Sequence, residues 1–147
     1  MNTNADGALG MFKEGYNCAQ SVLAACGRRF GFSREQACHV AQTFGSGMCG
    51  LNQTCGAVTG ALMAIGLKHG KTTSDDAPKT RAQQLAHEFA RRFIARNGSI
   101  GCTQLLGHDL SLPGEVGRVR ALGLFQTICP RLVSDAVEIT DELLKEE

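Results

Sequence analysis

No stretch of this chain alternates β-branched and polar residues for long enough to make a strand, whereas apolar residues recur at helical spacing almost end to end. That periodicity argues against a sheet. It predicts an all-α fold, a single compact bundle of five or more helices spanning residues 1–147. A chain of 147 residues needs no disulfides to hold its core, because at this length folding buries roughly 70% of the unfolded surface.

The punctuation of the pattern places the helices. A first helix is expected over 6–14, interrupted by Gly15-Tyr16-Asn17, with Asn17 capping the next from Cys18. The inner stripe of that second helix reads Cys18, Val22, Ala25, Cys26, Arg29 and Phe30. Ser33-Arg34-Glu35-Gln36 is a capping-box signature, opening a helix with Ala37, Val40, Ala41 and Phe44 inward. After the glycine-rich Gly45-Ser46-Gly47-Met48-Cys49-Gly50, Thr54 is expected to cap a helix from Cys55 to His69, with Gly70 just past its end. This helix carries Gly56, Ala57, Gly60, Ala61 and Ala64 and almost no polar face, so it is predicted to be central. Ser74 or Asp75 caps a long helix to Arg96, with Pro78 in its first turn and Ala82, Leu85, Phe89 and Phe93 inward. A short helix near Ser99 holds Cys102, Leu105 and Leu106, and a further helix is expected over 116–125. Cys129-Pro130 opens the last helix, with Cys129 as its cap and Leu132, Val133, Ala136, Val137, Thr140, Leu143 and Leu144 inward.

Net charge is +1, and no basic run interleaved with aromatics exists, so nucleic acid is not an expected partner. Residues Met1 to Asp6 lack the basic and apolar regions of a signal peptide, and no apolar run reaches the ~18 residues of a membrane helix. A cytoplasmic location is therefore expected. There, seven cysteines point to metal ligands or redox thiols rather than structural disulfides.

Four of those cysteines, Cys18, Cys55, Cys102 and Cys129, each fall in or next to the first turn of an expected helix. A helix start carries partial positive charge and free N–H groups, worth about 0.3–1 kcal/mol to a nearby anion, so it favours thiolate. Thiolate is the form that binds metals and attacks disulfides. The spacings contain no C-x-x-C, which excludes zinc-ribbon, thioredoxin and c-type haem motifs. Any shared site has to be assembled by the tertiary fold; otherwise the four are separate small core residues. Cys26 lies eight residues after Cys18, ~12 Å along the axis, and reads as structural, as does Cys38. His39, His69, His87 and His108 share no ligand spacing.

The segments Gly15-Tyr16-Asn17-Cys18-Ala19-Gln20, Cys55-Gly56-Ala57-Val58-Thr59-Gly60-Ala61, Gly98-Ser99-Ile100-x-Cys102-x-x-Leu105 and Cys129-Pro130 resemble the family named for its cysteine pattern, C_GCAxxG_C_C, and for expected redox activity. The resemblance runs from Phe12 to Leu144. It implies that Cys18, Cys55, Cys102 and Cys129 are the family's characteristic four. A similar domain accompanies haem in split-Soret cytochromes, with an associated iron–sulfur centre; the haem part has no counterpart here. Cys49 departs from the usual glycine-rich loop, and reads as a fifth ligand, a replacement ligand, a disulfide partner for Cys55, or a loop thiol that only lies near the site.

Three functional readings follow. The first is an electron-transfer protein in which the four cysteines hold an iron–sulfur cluster, [2Fe–2S] favoured over [4Fe–4S]. The second is metal-free dithiol chemistry at Cys49 and Cys55. The third is a zinc-stapled helical module without redox activity. An unidentified redox partner protein is expected and a homodimer is left open. No hydrolase or phosphate-binding motif is present, and enzymatic activity is left open.

Overall fold

The computed structural model describes residues 3–145, all of whose regular elements are helical. Met1 and Asn2, part of the stretch read for a targeting segment, lie outside the described residues, as do Glu146 and Glu147. In chain order the elements are α1 (Thr3–Lys13), α2 (Cys18–Gly27), α3 (Arg34–Ala41), α4 (Gly45–Cys49), α5 (Gly56–His69), α6 (Ala77–Asn97), α7 (Cys102–Leu106), α8 (Glu115–Ala121), α9 (Leu124–Thr127) and α10 (Cys129–Lys145). Short 3-10 turns cover Arg28–Phe30 and Gln42–Phe44. No helix among the described residues is long and apolar enough to cross a membrane.

The central pair is α2 and α5. Glycine makes their approach close: a Cβ at Gly60 would stand 2.8 Å from the Ala19 carbonyl oxygen, inside van der Waals contact. Around this pair, α10 packs on α1, α2, α5 and α6, and α6 also packs on α5. The buried set is one continuous cluster that includes Leu23, Ile65, Phe89, Phe93, Val133, Val137 and Leu143. Phe89 and Phe93 stack with ring centroids 5.7 Å apart. The expected inner stripe of α10 is buried at all seven positions named above.

Both expected N-caps of the first half form full capping boxes. Asn17 Oδ1 accepts from Gln20 N at 2.8 Å while Gln20 Oε1 accepts from Asn17 N at 2.9 Å. Ser33 and Gln36 repeat the arrangement on α3. Elsewhere the structure departs from expectation. Thr54 does not cap α5; Cys55 occupies the cap position and Thr54 pairs with Gly101 in an isolated β-bridge. Cys129 is the first helical residue of α10 rather than its cap. The helix expected over 116–125 is two helices, because Gly123 takes a left-handed φ of 72° between them. Asp76 occupies the cap position of α6 without a side-chain cap bond, while the expected Asp75 accepts from Ala77 N through Oδ1 at 3.1 Å. Val40 was expected inward, yet it is half exposed; the short α3 buries only Ala37 and Ala41.

Candidate functional site

Cys18 opens α2, Cys55 precedes α5, Cys102 opens α7 and Cys129 opens α10. The fold brings these four helix starts to one place. All four thiols line a single cavity of about 560 Å³, and all four residues are buried. Cys18 feels the charge of the other three, Cys102 that of Cys55 and Cys129, and Cys55 that of Cys129.

Backbone hydrogen bonds fix two of them relative to each other. Cys55 N donates to Ile100 O at 2.8 Å, and Cys102 N donates to Gln53 O at 3.0 Å, on either side of the Thr54–Gly101 bridge. Cys18 is held by its cap: Asn17 Nδ2 donates to Gln42 O at 3.0 Å, anchoring the start of α2 to the chain that follows α3. Gly45 leaves room for this Asn17 side chain, since a Cβ there would stand 2.5 Å from the Asn17 Cβ.

The glycine-rich loop forms another wall. Its five residues Ser46, Gly47, Met48, Cys49 and Gly50 all have positive φ, between 57° and 77°, so α4 winds left-handed. For residues with a Cβ this costs roughly 1–2 kcal/mol each, and such strain persists only where the surroundings enforce it. Here Gly50 N donates to Ser46 O at 2.8 Å and Gln53 N to Gly47 O at 3.0 Å. Ser46 and Gly47 line the cavity, whereas Cys49 is exposed and does not. The structure therefore does not bring Cys49 to the other four, and its expected pairing with the buried Cys55 gains no support from the geometry. Cys26 is buried elsewhere in the core, Cys38 is half-buried, and no histidine lines the cavity. His108 pairs with Glu115 at 2.9 Å.

Helix starts were expected to lower all four thiol pKa values. Burial overrides them at three. Cys55 is pushed up to about 11, chiefly by burial, although the N–H groups of Ala57 and Val58 pull the other way without forming a regular cap. Cys102 is pushed up to about 12, again by burial first and then by the charges of Cys55 and Cys129. Cys18 is raised well above its ordinary value because its thiol donates to Cys129, with burial adding to the effect. The same hydrogen bond lowers Cys129, against its own burial. Cys129 is thus the one thiol of the four shifted toward its thiolate, while Cys18, Cys55 and Cys102 are shifted away from theirs.

Whether this donor set suits a metal turns on its spread. Among the described residues, no three His, Cys, Asp or Glu side chains stand close enough to hold one ion. A single zinc draws four sulfurs to about 2.3 Å from one point. A multi-iron cluster spreads its thiolates over several metal atoms, and thiolate is the donor it takes. Four buried thiols around one cavity are a donor set of the type that both groups take.

Sequence reasoning found the four thiols and, in the motifs around them, Gly15, Tyr16, Asn17, Gly56, Leu105 and Pro130, but not the rest of the cavity. Phe12, Lys13, Arg120 and Phe125 also line it, and no local pattern marks them. The Thr54–Gly101 bridge is likewise invisible to periodicity, which does not register one isolated pair.

A family model described as "Putative redox-active protein (C_GCAxxG_C_C)" matches residues 16–143. An uncharacterized protein of Archaeoglobus fulgidus is 29% identical over 148 residues, an alignment that covers 95% of this chain and 92% of that protein. No solved structure matches the chain.

Proposed function

The chain belongs to the C_GCAxxG_C_C family, and on that premise we propose that it is a redox protein whose Cys18, Cys55, Cys102 and Cys129 bind an iron–sulfur cluster. The observation that carries this reading is the convergence of four buried thiols, from four separate helix starts, on one cavity. When bound, such a cluster supplies one-electron transfer. The chain's own part is to hold, orient and shield. The Asn17 cap orients Cys18, and the Gln53–Cys102 and Ile100–Cys55 hydrogen bonds hold the other two segments in register. Buried Leu106 and Leu132 form apolar wall that excludes water. The helix-start N–H groups of Ala57 and Val58 favour the anionic form of Cys55.

The test is iron, sulfide and visible absorption in protein purified without air, before and after dithionite. Iron with sulfide and bleachable bands is the expected result, and the band shape separates [2Fe–2S], the favoured form, from [4Fe–4S]. Serine at Cys18, Cys55, Cys102 or Cys129 should lower the iron content, whereas Cys49→Ser should leave it unchanged. Iron-free, colourless protein after anaerobic reconstitution would sink the reading.

A second reading, metal-free dithiol chemistry, is favoured by one observation: the Cys18 thiol donates to Cys129, which shifts Cys129 toward its thiolate. In that case the pair is Cys18 and Cys129 rather than Cys49 and Cys55. The Cys129 thiolate would attack an external disulfide and expel its first thiolate, and Cys18, giving up its proton, would then close the Cys18–Cys129 S–S bond and expel the second, so that two electrons pass to the external disulfide. Loss of two thiols per chain on mild oxidation of metal-free protein, abolished by Cys129→Ser, would identify it.

A further inference from the structure

We propose that the outer part of the cavity lined by the four thiols is a binding site for a small organic anion with an apolar body. At about 560 Å³ it falls in the range of small-molecule sites, roughly 300–1,000 Å³. Phe12, Leu105, Val116 and Phe125 give it apolar wall. These come from α1, α7, α8 and α9, and three of those elements carry none of the four cysteines.

The charge at the mouth, away from the thiols, fixes the sign of the ligand's head group. Lys13 and Arg120 line the cavity, and no Asp or Glu does. Both cations are exposed, which places them at the rim. Each lies in the last turn of its helix, α1 or α8, so two separate elements deliver positive charge to the same opening. Neither has an ion-pair partner among the described residues. An apolar chamber with two unpaired cations at its mouth is complementary to a molecule with an aromatic or aliphatic body and a carboxylate, sulfonate or phosphate head. Such a molecule would sit next to the thiols. The proposal goes beyond the cluster reading and does not depend on it.

The probe is naphthalene-2-sulfonate, with neutral naphthalene-2-sulfonamide as its control. Binding is followed by titration calorimetry on protein as purified without air, and the iron content of every sample is measured alongside. One sulfonate should bind per chain, more tightly than the sulfonamide and less tightly as salt rises. Lys13→Gln and Arg120→Gln should each weaken it about three- to ten-fold, and Val116→Trp, which fills the cavity from an exposed position, should abolish it. Equal affinity for the two probes, no saturable binding, or indifference to both charge removals would overturn the proposal. So would loss of iron together with sulfonate binding in Lys13→Gln and Arg120→Gln, since the cations would then serve the metal. Unaltered sulfonate binding to protein that stays iron-free after anaerobic reconstitution would instead sink the cluster reading and leave this one standing.

Discussion

Gly56 lets the backbone of α5 lie against Cys18: a Cβ at position 56 would stand 3.2 Å from the Cys18 Cβ and 3.1 Å from the Ala19 nitrogen. One turn later, a Cβ at Gly60 would meet the Ala19 carbonyl oxygen at 2.8 Å. The two glycines thus set the distance between the helices that carry two of the four thiols. Gly60→Ala gains about 1 kcal/mol of helix propensity but forces α5 away from α2, a packing cost of about 1–3 kcal/mol. Urea denaturation should show a net loss of stability. Gly66→Ala, on the exposed part of the same helix with nothing within 4 Å, should show a net gain of up to about 1 kcal/mol.

Gly47 does the corresponding work for Cys102. Its φ is +67°, and a Cβ there would stand 2.7 Å from the Cys102 Cβ. Gly47→Ala should strain the left-handed turn and displace Cys102, lowering both stability and iron content. Gly50→Ala meets nothing closer than 3.9 Å at a φ of +77°, so it should cost only the backbone strain, about 1–2 kcal/mol. Iron per chain, measured for both variants, separates the two effects.

The thiol pKa values set an alkaline limit for the metal-free fold. Cys55 and Cys102 are raised from 9.0 to about 11 and about 12. Burial favours their neutral form, so this contribution is complete below the unfolded value near 9 and is lost as pH rises through 11–12. Cys129, lowered by Cys18, has the opposite sign and contributes above the unfolded value. With more thiols raised than lowered, the urea midpoint of metal-free protein should fall between pH 9 and pH 11. A flat midpoint over that range would contradict the burial of these thiols.

Cys49 is exposed, whereas Cys26 is 1% exposed in the core. Brief treatment with iodoacetamide followed by peptide mass mapping should find Cys49 modified first and Cys26 last. Modification of Cys49 should leave the visible spectrum of reconstituted protein unchanged, because Cys49 does not line the cavity.

Asn17 links helix capping to the site. Asn17→Ala removes the bond to Gln20 N and the bond to Gln42 O, at a cost of about 1–2 kcal/mol. It also frees the start of α2. Thermal unfolding should report the stability loss, and retention of iron should fall with it.

The helices and the four thiols were legible in the sequence because both are written locally. Phe89 and Phe93 announce an inner face by spacing, Ser33 and Gln36 announce a helix start, and each of the four cysteines stands beside such a start. Where local signals mislead, longer-range packing wins: Thr54 pairs with Gly101 instead of capping α5, and Val40 stays outside because α3 is too short to bury it. Convergence of Cys18, Cys55, Cys102 and Cys129 is a different kind of fact. The residues are separated by 27 positions or more, and no periodicity encodes which helix ends meet. That is decided by the close packing of α2 on α5, by the Thr54–Gly101 bridge and by the left-handed turn at Ser46–Gly50. The tertiary structure also decided the thiol pKa order, because burial and neighbouring sulfurs outweigh the helix-start field that the sequence predicts.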